Sequence, residues 1–353
     1  MARRGHEVHV FSTNVDGPFD TPVCLGQPLN VEDVHVWYFK SRHFRRIYMS
    51  LTMLSALKSW MPQFDVVHIH SLFLWPTLAA SRVARKARIP YVVSPRGMLV
   101  KELIGGRSRL AKSLWIKLFD RRNLESAQRI HVTTEKEAAE VNRFGFALPP
   151  LEIIPNGVEE QFVGPAADKA SVRTSNGRTI AFLGRLHWIK GLDRLIHALR
   201  YAPDTHLIIA GNDDHNYQRT LERIAAACGV RERIEFSGPL YGEDKIELLR
   251  GVQLLVLPSH SENFGNVLLE AMAVGCPVVT TPEVGLADAI RSGGAGTVCV
   301  GEPETLGRCI AKMLQSPQRL KQMGERGRQM VQERYQWSVI ATEMEAVYGS
   351  MSS

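Results

Sequence analysis

Residues 254–281, LLVLPSHSENFGNVLLEAMAVGCPVVTT, constrain the fold more than any other part of the chain. The apolar run Leu254–Leu257 is stopped by Pro258, and a β-branched run begins at Val278. The pattern between them is typical of a buried helix, and Gly275 stands where a helix C-cap glycine is expected. A strand, a polar loop, a helix and a second strand in this order indicate part of a parallel α/β sheet.

Two carboxylates lie inside this apolar unit, Glu262 in the loop and Glu270 in the predicted helix. Carboxylates are rarely buried without a partner, because removing an unpaired charge from water is costly. We therefore expect each of them to meet a partner. A ligand with many hydroxyl groups, such as a sugar and a ribose, would supply one.

Strand and helix patterns alternate through both halves of the chain. The 353 residues are enough for two domains, and 44% hydrophobic with 22% charged residues is typical of a soluble globular protein. We predict an α/β fold of two doubly wound, Rossmann-like domains with an interdomain cleft. The predicted boundaries are 1–163 for the first domain, 164–178 for a linker, 179–335 for the second domain and 336–353 for a terminal helix.

A glycine-containing loop begins the predicted second domain. The strand Thr179–Leu183 is followed by Gly184, and a helix is expected over Gly191–Arg200. Backbone N–H groups at such a strand–loop–helix junction bind phosphate, and Arg185 and Lys190 add two cations at the same place. The alternative is ordinary surface charge, but the pairing of these cations with glycines favours a diphosphate site.

Polar residues also end two strands of the predicted first domain. His70 ends the run FDVVHIH, and Arg96 follows the strand Pro90–Val93. The carboxyl ends of parallel strands face the cleft in doubly wound folds, so both are candidate site residues. His68 shares the strand face of His70, and we interpret it as a structural histidine.

The net positive charge of the chain comes from its first half. Residues 1–165 contain 22 Lys and Arg against 15 Asp and Glu, a surplus of 7, whereas 166–353 contain 21 of each class. Two basic amphipathic segments, 40–60 and Lys101–Arg122, resemble helices that lie on anionic membranes. Ordinary helices packed on their own domain are the alternative for both segments.

Several protein classes are disfavoured by what the sequence lacks. No apolar run reaches the roughly 18 residues of a membrane span. Arg3 and Arg4 follow Met1 without the apolar stretch that a signal peptide would have, so none is expected. The 5 cysteines are scattered, which fits a reducing cytoplasm and argues against disulfides and metal sites. A dinucleotide-dependent oxidoreductase would carry Gly-x-Gly-x-x-Gly after a strand, and no such motif is present. No nucleic-acid partner is expected.

Three motifs over about half of the chain resemble the retaining GT-B glycosyltransferases of family four. They are Glu262-x7-Glu270, the pair Gly184-Arg185-Leu186 and Lys190-Gly191-Leu192-Asp193, and Ile154-Pro155-Asn156-Gly157-Val158.

The resemblance implies transfer of a hexose from a UDP- or GDP-linked sugar, with retention of anomeric configuration and no metal cofactor. The acceptor implied is a hydroxyl of a glycan or of a polyprenyl-diphosphate-linked sugar, bound by the first domain. No residue stands out as a covalent nucleophile, so same-face attack through an ion-pair-like state is the preferred mechanism. The protein is then expected in the cytoplasm, in contact with the inner face of the plasma membrane.

The resemblance also assigns roles to residues. The expected catalytic group is Glu262 on the sugar hydroxyls, Arg185 and Lys190 on the diphosphate, and His70 and Arg96 near the acceptor, where many family members carry a histidine instead of Arg96. The expected donor-binding residues are Gly184, Arg185, Lys190, Gly211, Gly238, Leu240, Phe264, Gly265, Asn266, Val267 and Glu270.

Two related functions stay open at the level of sequence. The chain is expected to lack the family's first strand and glycine-rich loop, because EVHVFS follows what reads as the end of a helix at Arg3–Gly5. A non-catalytic or truncated nucleotide-sugar-binding protein is therefore one alternative. A GT-B nucleotide-sugar epimerase, which needs no acceptor, is the other.

Overall fold

The chain divides into two units. The first comprises Met1–Ile154 and the chain from Ala341 onward, and the second comprises Pro155–Ile340. Most of the predicted linker, 165–177, lies outside the described residues. The computed structural model describes residues 1–104, 109–164, 178–213 and 216–351.

The second unit begins earlier than the sequence predicts. The sequence assigns 155–163 to the first domain, but Val158 and Phe162 are buried in the core of the second unit. The backbone N–H of Val158 also donates to the carbonyl of Tyr335 at 2.8 Å. These contacts are distant in sequence, and no local pattern reveals them.

The parallel strands of the first unit are divided between two sheets. One has the order β1-β5-β4, with β4 antiparallel to β5, and the other has the all-parallel order β6-β7-β8-β9. A short antiparallel pair joins β2 and β3. The strands are β1 (Val8–Thr13), β2 (Val15–Asp16), β3 (Phe19–Asp20), β4 (Pro28–Val31), β5 (Val34–Phe39), β6 (Val67–His70), β7 (Tyr91–Ser94), β8 (Arg129–Val132) and β9 (Leu151–Ile153).

Helices follow these strands as an α/β fold requires. A π-helical turn, Ile116–Asp120, connects two of them. The 3-10 turn Ala2–Arg4 ends at Gly5, whose φ of 91° is left-handed, so the predicted helix end is confirmed. The helices are α1 (Leu51–Trp60), α2 (Trp75–Ala87), α3 (Lys101–Ile104), α4 (Arg109–Trp115), α5 (Arg121–Glu125) and α6 (Glu135–Asn142).

The prediction of one amphipathic helix over residues 40–60 is wrong. Phe44 and Tyr48 have φ angles of 52° and 57°, so the backbone leaves the right-handed region twice. Only a 3-10 turn forms between them, and α1 starts after Ser50, whose hydroxyl accepts a hydrogen bond from the N–H of Met53 at 3.3 Å.

The second unit has a single parallel sheet of six strands within the described residues. Its order is β12-β11-β10-β13-β14-β15. The order reverses at β10, and ligands bind next to the strand ends at such a switch point. The strands are β10 (Arg178–Leu183), β11 (Thr205–Ala210), β12 (Ile234–Gly238), β13 (Leu254–Leu257), β14 (Val278–Thr280) and β15 (Gly296–Val298).

The helices that alternate with these strands match the predicted pattern closely. α10 ends at Ala273, and Gly275 follows with a left-handed φ of 79°, so the predicted C-terminal glycine is confirmed. Within the described residues, no helix is both long enough and apolar enough to span a membrane. The helices are α7 (Leu192–Ala198), α8 (Gln218–Ala227), α9 (Gly242–Gly251), α10 (Asn266–Ala273), α11 (Ala287–Gly293), α12 (Pro303–Leu314) and α13 (Pro317–Arg334). The last helix, α14 (Trp337–Gly349), begins in this unit and belongs to the first unit from Ala341 onward.

Candidate functional site

Two glycines lie together at the carboxyl ends of the central strands β10 and β11. Gly184 and Gly211 have φ angles of 147° and 155°. A Cβ atom on Gly211 would collide with the carbonyl oxygen of Gly184, so a side chain there would force the two loops apart. These two glycines, which are among the predicted donor-binding residues, therefore allow the two loops to approach closely at the switch point of the sheet.

A third glycine joins the loop after β10 to the loop after β13. Gly191 has a φ of 68°, and a Cβ atom on it would collide with the carbonyl oxygen of Pro258. The N–H of His260 donates to the carbonyl of Ile189 at 2.8 Å across the same two loops. The Lys190 loop and the Glu262 loop are thus held together by their backbones.

Lys190 and Glu262 form an ion pair across these loops. Both side chains are mostly buried, with about a fifth of each exposed. The Glu262 backbone is fixed as well, because its carbonyl accepts from the N–H of Gly285 at 2.9 Å. Two motifs that lie 72 residues apart in sequence therefore meet in one charged contact.

Arg185 occupies a different environment from Lys190. Its side chain is exposed, and among the described residues it has no ion-pair partner. The neighbouring Trp188 is also exposed, and its ring lies 6.0 Å from the ring of His260. Arg185 is accordingly the cation of this loop that is open to an anionic ligand.

The amino terminus of α10 lies directly after the Glu262 loop. Gly265 takes the N-cap position with a left-handed φ of 97° and has no side chain to bond the N–H groups of the first turn. Phe264 is buried beneath it, and Val267 is partly buried. Asn266 is exposed, and its Oδ1 accepts from Nδ2 of Asn156 at 3.0 Å. This end of the helix presents N–H dipoles that suit an anionic or hydroxyl ligand.

Glu270 is paired with a lysine that no motif includes. Its Oε2 lies 2.5 Å from Nζ of Lys245 on α9. Each predicted carboxylate thus has a protein cation as its partner, whereas we expected a ligand. The side chains of Glu262 and Glu270 are held by different lysines, so the two carboxylates do not share one contact.

The end of β12 and the loop after it contain two of the predicted donor-binding residues, Gly238 and Leu240. Gly238 has a left-handed φ of 75°, and its carbonyl accepts from the N–H of Gly211 at 2.9 Å. Leu240 is partly buried, and the exposed Tyr241 donates its hydroxyl hydrogen to Oδ1 of Asn212 at 3.3 Å. The loops after β11 and β12 therefore meet beside the strand ends.

The first unit contains a separate polar cluster on β6 and β8, joined by the last helix. Nε2–H of His131 donates to the carbonyl of Ile154 at 2.8 Å, because a carbonyl can only accept. Nδ1 of the neutral His131 then accepts from Nε2–H of His68 at 3.3 Å. Nδ1 of His68 accepts from the Tyr348 hydroxyl at 2.7 Å. The three side chains form one hydrogen-bond chain with a single direction.

Burial keeps this chain neutral. Loss of hydration lowers the pKa of His68 well below its usual value, and the neighbouring His70 and His131 lower it further. Burial also lowers the pKa of His131 to about 4 and raises that of Tyr348 to about 12. His68 is therefore structural, as the sequence predicts, and its partners His131 and Tyr348 carry no sequence motif.

His70 and Arg96 lie next to this cluster and contact each other. Nε of Arg96 is 3.4 Å from Nδ1 of His70. Arg96 has a φ of 54°, which is strained for a residue with a side chain, and Gly97 follows at 72°. The buried carboxylate of Glu137 accepts from the N–H of Gly97 at 2.6 Å and so fixes this turn. The two predicted residues of the first unit are thus brought together.

The first unit also has a large aromatic cavity beside β5 and α1. Its volume is about 840 Å³, and Trp37, Phe39 and Trp60 form part of its wall. Lys40 and Arg42 line it as well. Aromatic walls with adjacent cations suit a ligand that has both an apolar and an anionic part.

One group of side chains has the composition of a metal site. Among the described residues, Glu7, His9 and His35 place their ligand atoms within 4.8 Å of one another. The indole N–H of Trp37 donates to Nδ1 of His9 at 3.1 Å, so the proton of this ring is on Nε2, which lies 3.0 Å from Glu7. A metal on Nε2 would require the proton on Nδ1 and would break the bond to Trp37. This arrangement disfavours metal binding.

Profiles of known protein families match both halves of the chain. The profile described as "Glycosyl transferase 4-like domain" matches residues 1–157, and that described as "Glycosyl transferases group 1" matches 165–330. A D-inositol 3-phosphate glycosyltransferase of Mycolicibacterium gilvum is 32% identical over 335 residues, which cover 88% of this chain and 74% of that protein.

Solved structures share the fold of the whole chain. Sucrose-phosphate synthase from Thermosynechococcus elongatus superimposes with a TM-score of 0.82 at 20% identity, covering 99% of this chain and 90% of that one. The Anabaena protein HepE, solved with UDP and glucose, superimposes with a TM-score of 0.72 at 20% identity, covering 90% and 86%. At this identity the similarity shows the fold, which is a two-domain GT-B fold.

Proposed function

Since this chain belongs to the group 1 glycosyltransferases, with a glycosyl transferase 4-like first half, we propose that it transfers a hexose from a UDP- or GDP-linked sugar to a hydroxyl group. The fold and the transferase class follow from the family. The donor, the stereochemistry and the acceptor are the proposal. The contact between Lys190 and Glu262 at the carboxyl edge of the second sheet carries it.

A departing nucleoside diphosphate gains negative charge as the bond to the sugar breaks. Cations and N–H dipoles that are already in place stabilise that charge without reorganising. Lys190, Arg185 and the amino terminus of α10 at Asn266 and Val267 would supply them. Because these groups neutralise the leaving diphosphate, the proposed transfer needs no divalent cation.

The carboxylates would position the sugar parts of the donor. In the proposal Glu262 accepts hydrogen bonds from the hexose hydroxyls, and Lys190 holds its carboxylate in place through the ion pair. Glu270, fixed by Lys245, accepts from the ribose hydroxyls. The close backbones of Gly211 and Gly238, with Leu240, leave room for the base beside the strand ends.

Retention of configuration is proposed to follow from attack on the same face of the sugar. The incoming hydroxyl would approach while the diphosphate leaves, so that the leaving oxygens take its proton. None of the residues assigned to the sugar is placed as a covalent nucleophile. Detection of a hexose bound covalently to Glu262 would replace this step with double displacement.

The acceptor is proposed to bind the first unit. His70 and Arg96 contact each other at the ends of β6 and β7, and Arg96 suits a phosphate group. The aromatic cavity between β5 and α1 suits an apolar chain with an anionic group. A glycan on a polyprenyl diphosphate, at the inner face of the plasma membrane, combines both features.

Calorimetric titration with UDP, GDP and ADP, followed by the matching sugar nucleotides, tests the donor. UDP is the first choice because the similar HepE structure contains UDP and glucose. Binding of one diphosphate well above the others supports the proposal and identifies the base. Folded protein that binds none of them contradicts it.

Product analysis separates transfer from the two other functions that the sequence leaves open. Transfer consumes the donor only in the presence of an acceptor, and the product keeps the anomeric configuration. An epimerase would convert the sugar without an acceptor, and a non-catalytic binder would leave the donor intact. Unchanged turnover in EDTA is expected if no divalent cation takes part.

A further inference from the structure

Helix α4 and the π-helical turn after it present a row of leucines to solvent. Leu110, Leu114 and Leu118 are 86%, 57% and 56% exposed. Residues four apart in a helix lie on the same face, so the three side chains form one apolar row. Single exposed leucines are common in soluble proteins, but a contiguous row of them marks an interaction surface.

The other side of this segment is already packed against the first unit. Ile116 belongs to the core of that unit, and the buried Asp120 accepts a hydrogen bond from the N–H of Phe73 at 3.0 Å. Lys112 lies with its Nζ 6.0 Å from the ring of Phe73. The inner face therefore anchors the segment, and rotating it to bury the leucines would break these contacts.

The charges beside the leucine row are almost all positive. Residues 109–122, RLAKSLWIKLFDRR, contain five basic residues and one acid, Asp120. Asp120 is fully buried, so its carboxylate does not lie on the outer face. Lys117, Arg121 and Arg122 are exposed. Arg121 also pairs with Glu125 at 2.9 Å, which leaves Lys117 and Arg122 as the stronger surface cations.

From this combination we infer that the row Leu110, Leu114 and Leu118 docks the first unit onto an anionic lipid bilayer. The leucines enter the boundary between headgroups and acyl chains, while Lys117 and Arg122 contact lipid phosphates at the surface. This inference adds to the proposed function, and the biological role of the docking surface rests on the proposal that the acceptor is lipid-linked. Its physical basis, the leucine row, does not depend on donor chemistry.

The charge pattern favours a bilayer over a second copy of the chain. A two-fold interface through this face would place the cations of one copy near those of the other. Such like charges are unfavourable without carboxylates between them, and the outer face has none within 109–122. An anionic bilayer complements both the leucines and the cations.

The other basic segment, 40–60, does not form an equivalent face. Its backbone is interrupted at Phe44 and Tyr48, so it has no continuous helix along which apolar residues align. Nη1 of Arg45 lies 2.5 Å from the carboxylate of Asp20, which neutralises part of its charge. Of the two segments that the sequence predicts to contact a membrane, only Lys101–Arg122 therefore contains a continuous row of exposed apolar residues.

Flotation with vesicles tests the inference on the full chain without donor or acceptor. The vesicles consist of phosphatidylcholine alone or phosphatidylcholine mixed with phosphatidylglycerol. We expect binding only to the mixed vesicles, and weaker binding in high salt. Leu114→Ser with Leu118→Ser should weaken it by about tenfold or more, because each leucine loses its burial in the bilayer. Lys117→Glu should weaken it as well.

Val300→Ser is the matched control, because Val300 is 60% exposed on the second unit. It should bind mixed vesicles as the wild type does. Equal binding by the wild type and the double leucine variant would overturn the inference, as would equal binding to both kinds of vesicle. Light scattering that finds a wild-type dimer and a monomeric leucine variant would instead assign the row to self-association.

Nucleotide titration of the same variants separates this inference from the proposed function. The double leucine variant should bind the preferred nucleoside diphosphate with unchanged affinity, which also shows that it is folded. If no nucleotide binds to any variant, the donor proposal fails while the vesicle result still stands. If nucleotide binds and vesicles do not, only the docking surface fails.

Discussion

Nζ of Lys245 lies 2.5 Å from Oε2 of Glu270, so α9 and α10 are joined by an ion pair. Less than a quarter of either side chain is exposed. The same ammonium group lies 5.5 Å from the ring centre of Phe162, which limits its access to water. Glu270 is therefore positioned by a residue 25 positions earlier in sequence that belongs to none of the family motifs.

Replacing Lys245 by methionine should leave Glu270 without its cation. We expect the free energy of unfolding to fall by about 1–3 kcal/mol, because a largely buried carboxylate loses its partner. Urea unfolding measures the change. Lys321→Met is the control, since Lys321 is exposed at 4.0 Å from Glu325, and it should change stability by less than about 0.5 kcal/mol. Equal effects of the two variants would contradict a structural role for Lys245.

Two glycines with the same backbone conformation allow a test of the loop packing. Gly191 and Gly229 have φ angles of 68° and 67°, but only a Cβ atom on Gly191 would collide, with the carbonyl of Pro258. Gly229→Ala should cost about 1 kcal/mol for its left-handed backbone alone. Gly191→Ala should cost clearly more in urea unfolding and should weaken nucleotide binding, because the Lys190 loop moves. Similar costs for both would show that the Pro258 contact is unimportant.

Lys190→Ala should weaken the binding of nucleoside diphosphates more than that of nucleosides. A charged hydrogen bond contributes about 1.5–3 kcal/mol, so a loss of about 10- to 100-fold in affinity for the diphosphate is expected by calorimetry. Arg185→Ala should act in the same direction. Arg308→Ala, on an exposed surface of the same unit, is the control. Equal losses for diphosphate and nucleoside would remove the diphosphate assignment.

Glu262→Gln keeps the size of the side chain but removes its charge. We expect transfer to fall by about tenfold or more, because the neutral amide holds the sugar hydroxyls less strongly and loses the ion pair to Lys190. Binding of the nucleotide without its sugar should change little. The measurement compares turnover with calorimetry on one preparation. If the affinity for the free nucleotide fell as much as the turnover, Glu262 would contact the nucleotide and not the sugar.

The histidine chain of the first unit predicts a stability that depends on pH. The pKa of His131 falls from 6.5 in the unfolded chain to about 4 in the folded one, mainly through burial. The unfolded state therefore binds more protons between these two pH values. The contribution of neutral His131 to the free energy of unfolding is fully present above about pH 6.5 and is lost as the pH drops towards 4. A difference of about 2.5 pKa units corresponds to on the order of 3 kcal/mol.

Urea unfolding at a series of pH values between 7.5 and 4.5 measures this dependence. His131→Leu should be less stable at neutral pH but should show a flatter profile, which a merely structural loss would not produce. His43→Gln, at an exposed position, should keep the wild-type profile. A His131→Leu profile as steep as that of the wild type would contradict the assignment.

Patterns of neighbouring residues predicted those features that depend only on residues close together in the sequence. The strand–loop–helix order around Glu262, the glycine after α10 and the contact of His70 with Arg96 all follow from residues close to strand ends. The resemblance to known motifs correctly identified the family and the fold. The roles of the individual site residues stay predictions that the experiments above test.

Long-range contacts could not be read from the sequence. Lys245 pairs with Glu270, and Glu137 fixes the turn at Arg96, each from a distant helix. Tyr348 bonds the structural His68 in the same way. The sequence around each of the three is that of an ordinary helix surface. The helix predicted over 40–60 failed for a different reason. Its apolar spacing is helical, but the left-handed backbone at Phe44 and Tyr48 overrides that spacing.

The division of the chain into units has a consequence for the order of synthesis. The second unit, Pro155–Ile340, is continuous, whereas the first needs the segment from Ala341 onward. In the first unit Glu345 accepts hydrogen bonds from Arg4 at 2.5 Å and from His6 at 2.7 Å, and Tyr348 completes the histidine chain. The ribosome therefore completes the second unit while the first unit still lacks its last helix. Early folding intermediates should then contain a complete second unit downstream of first-unit sheets that this helix does not yet cover.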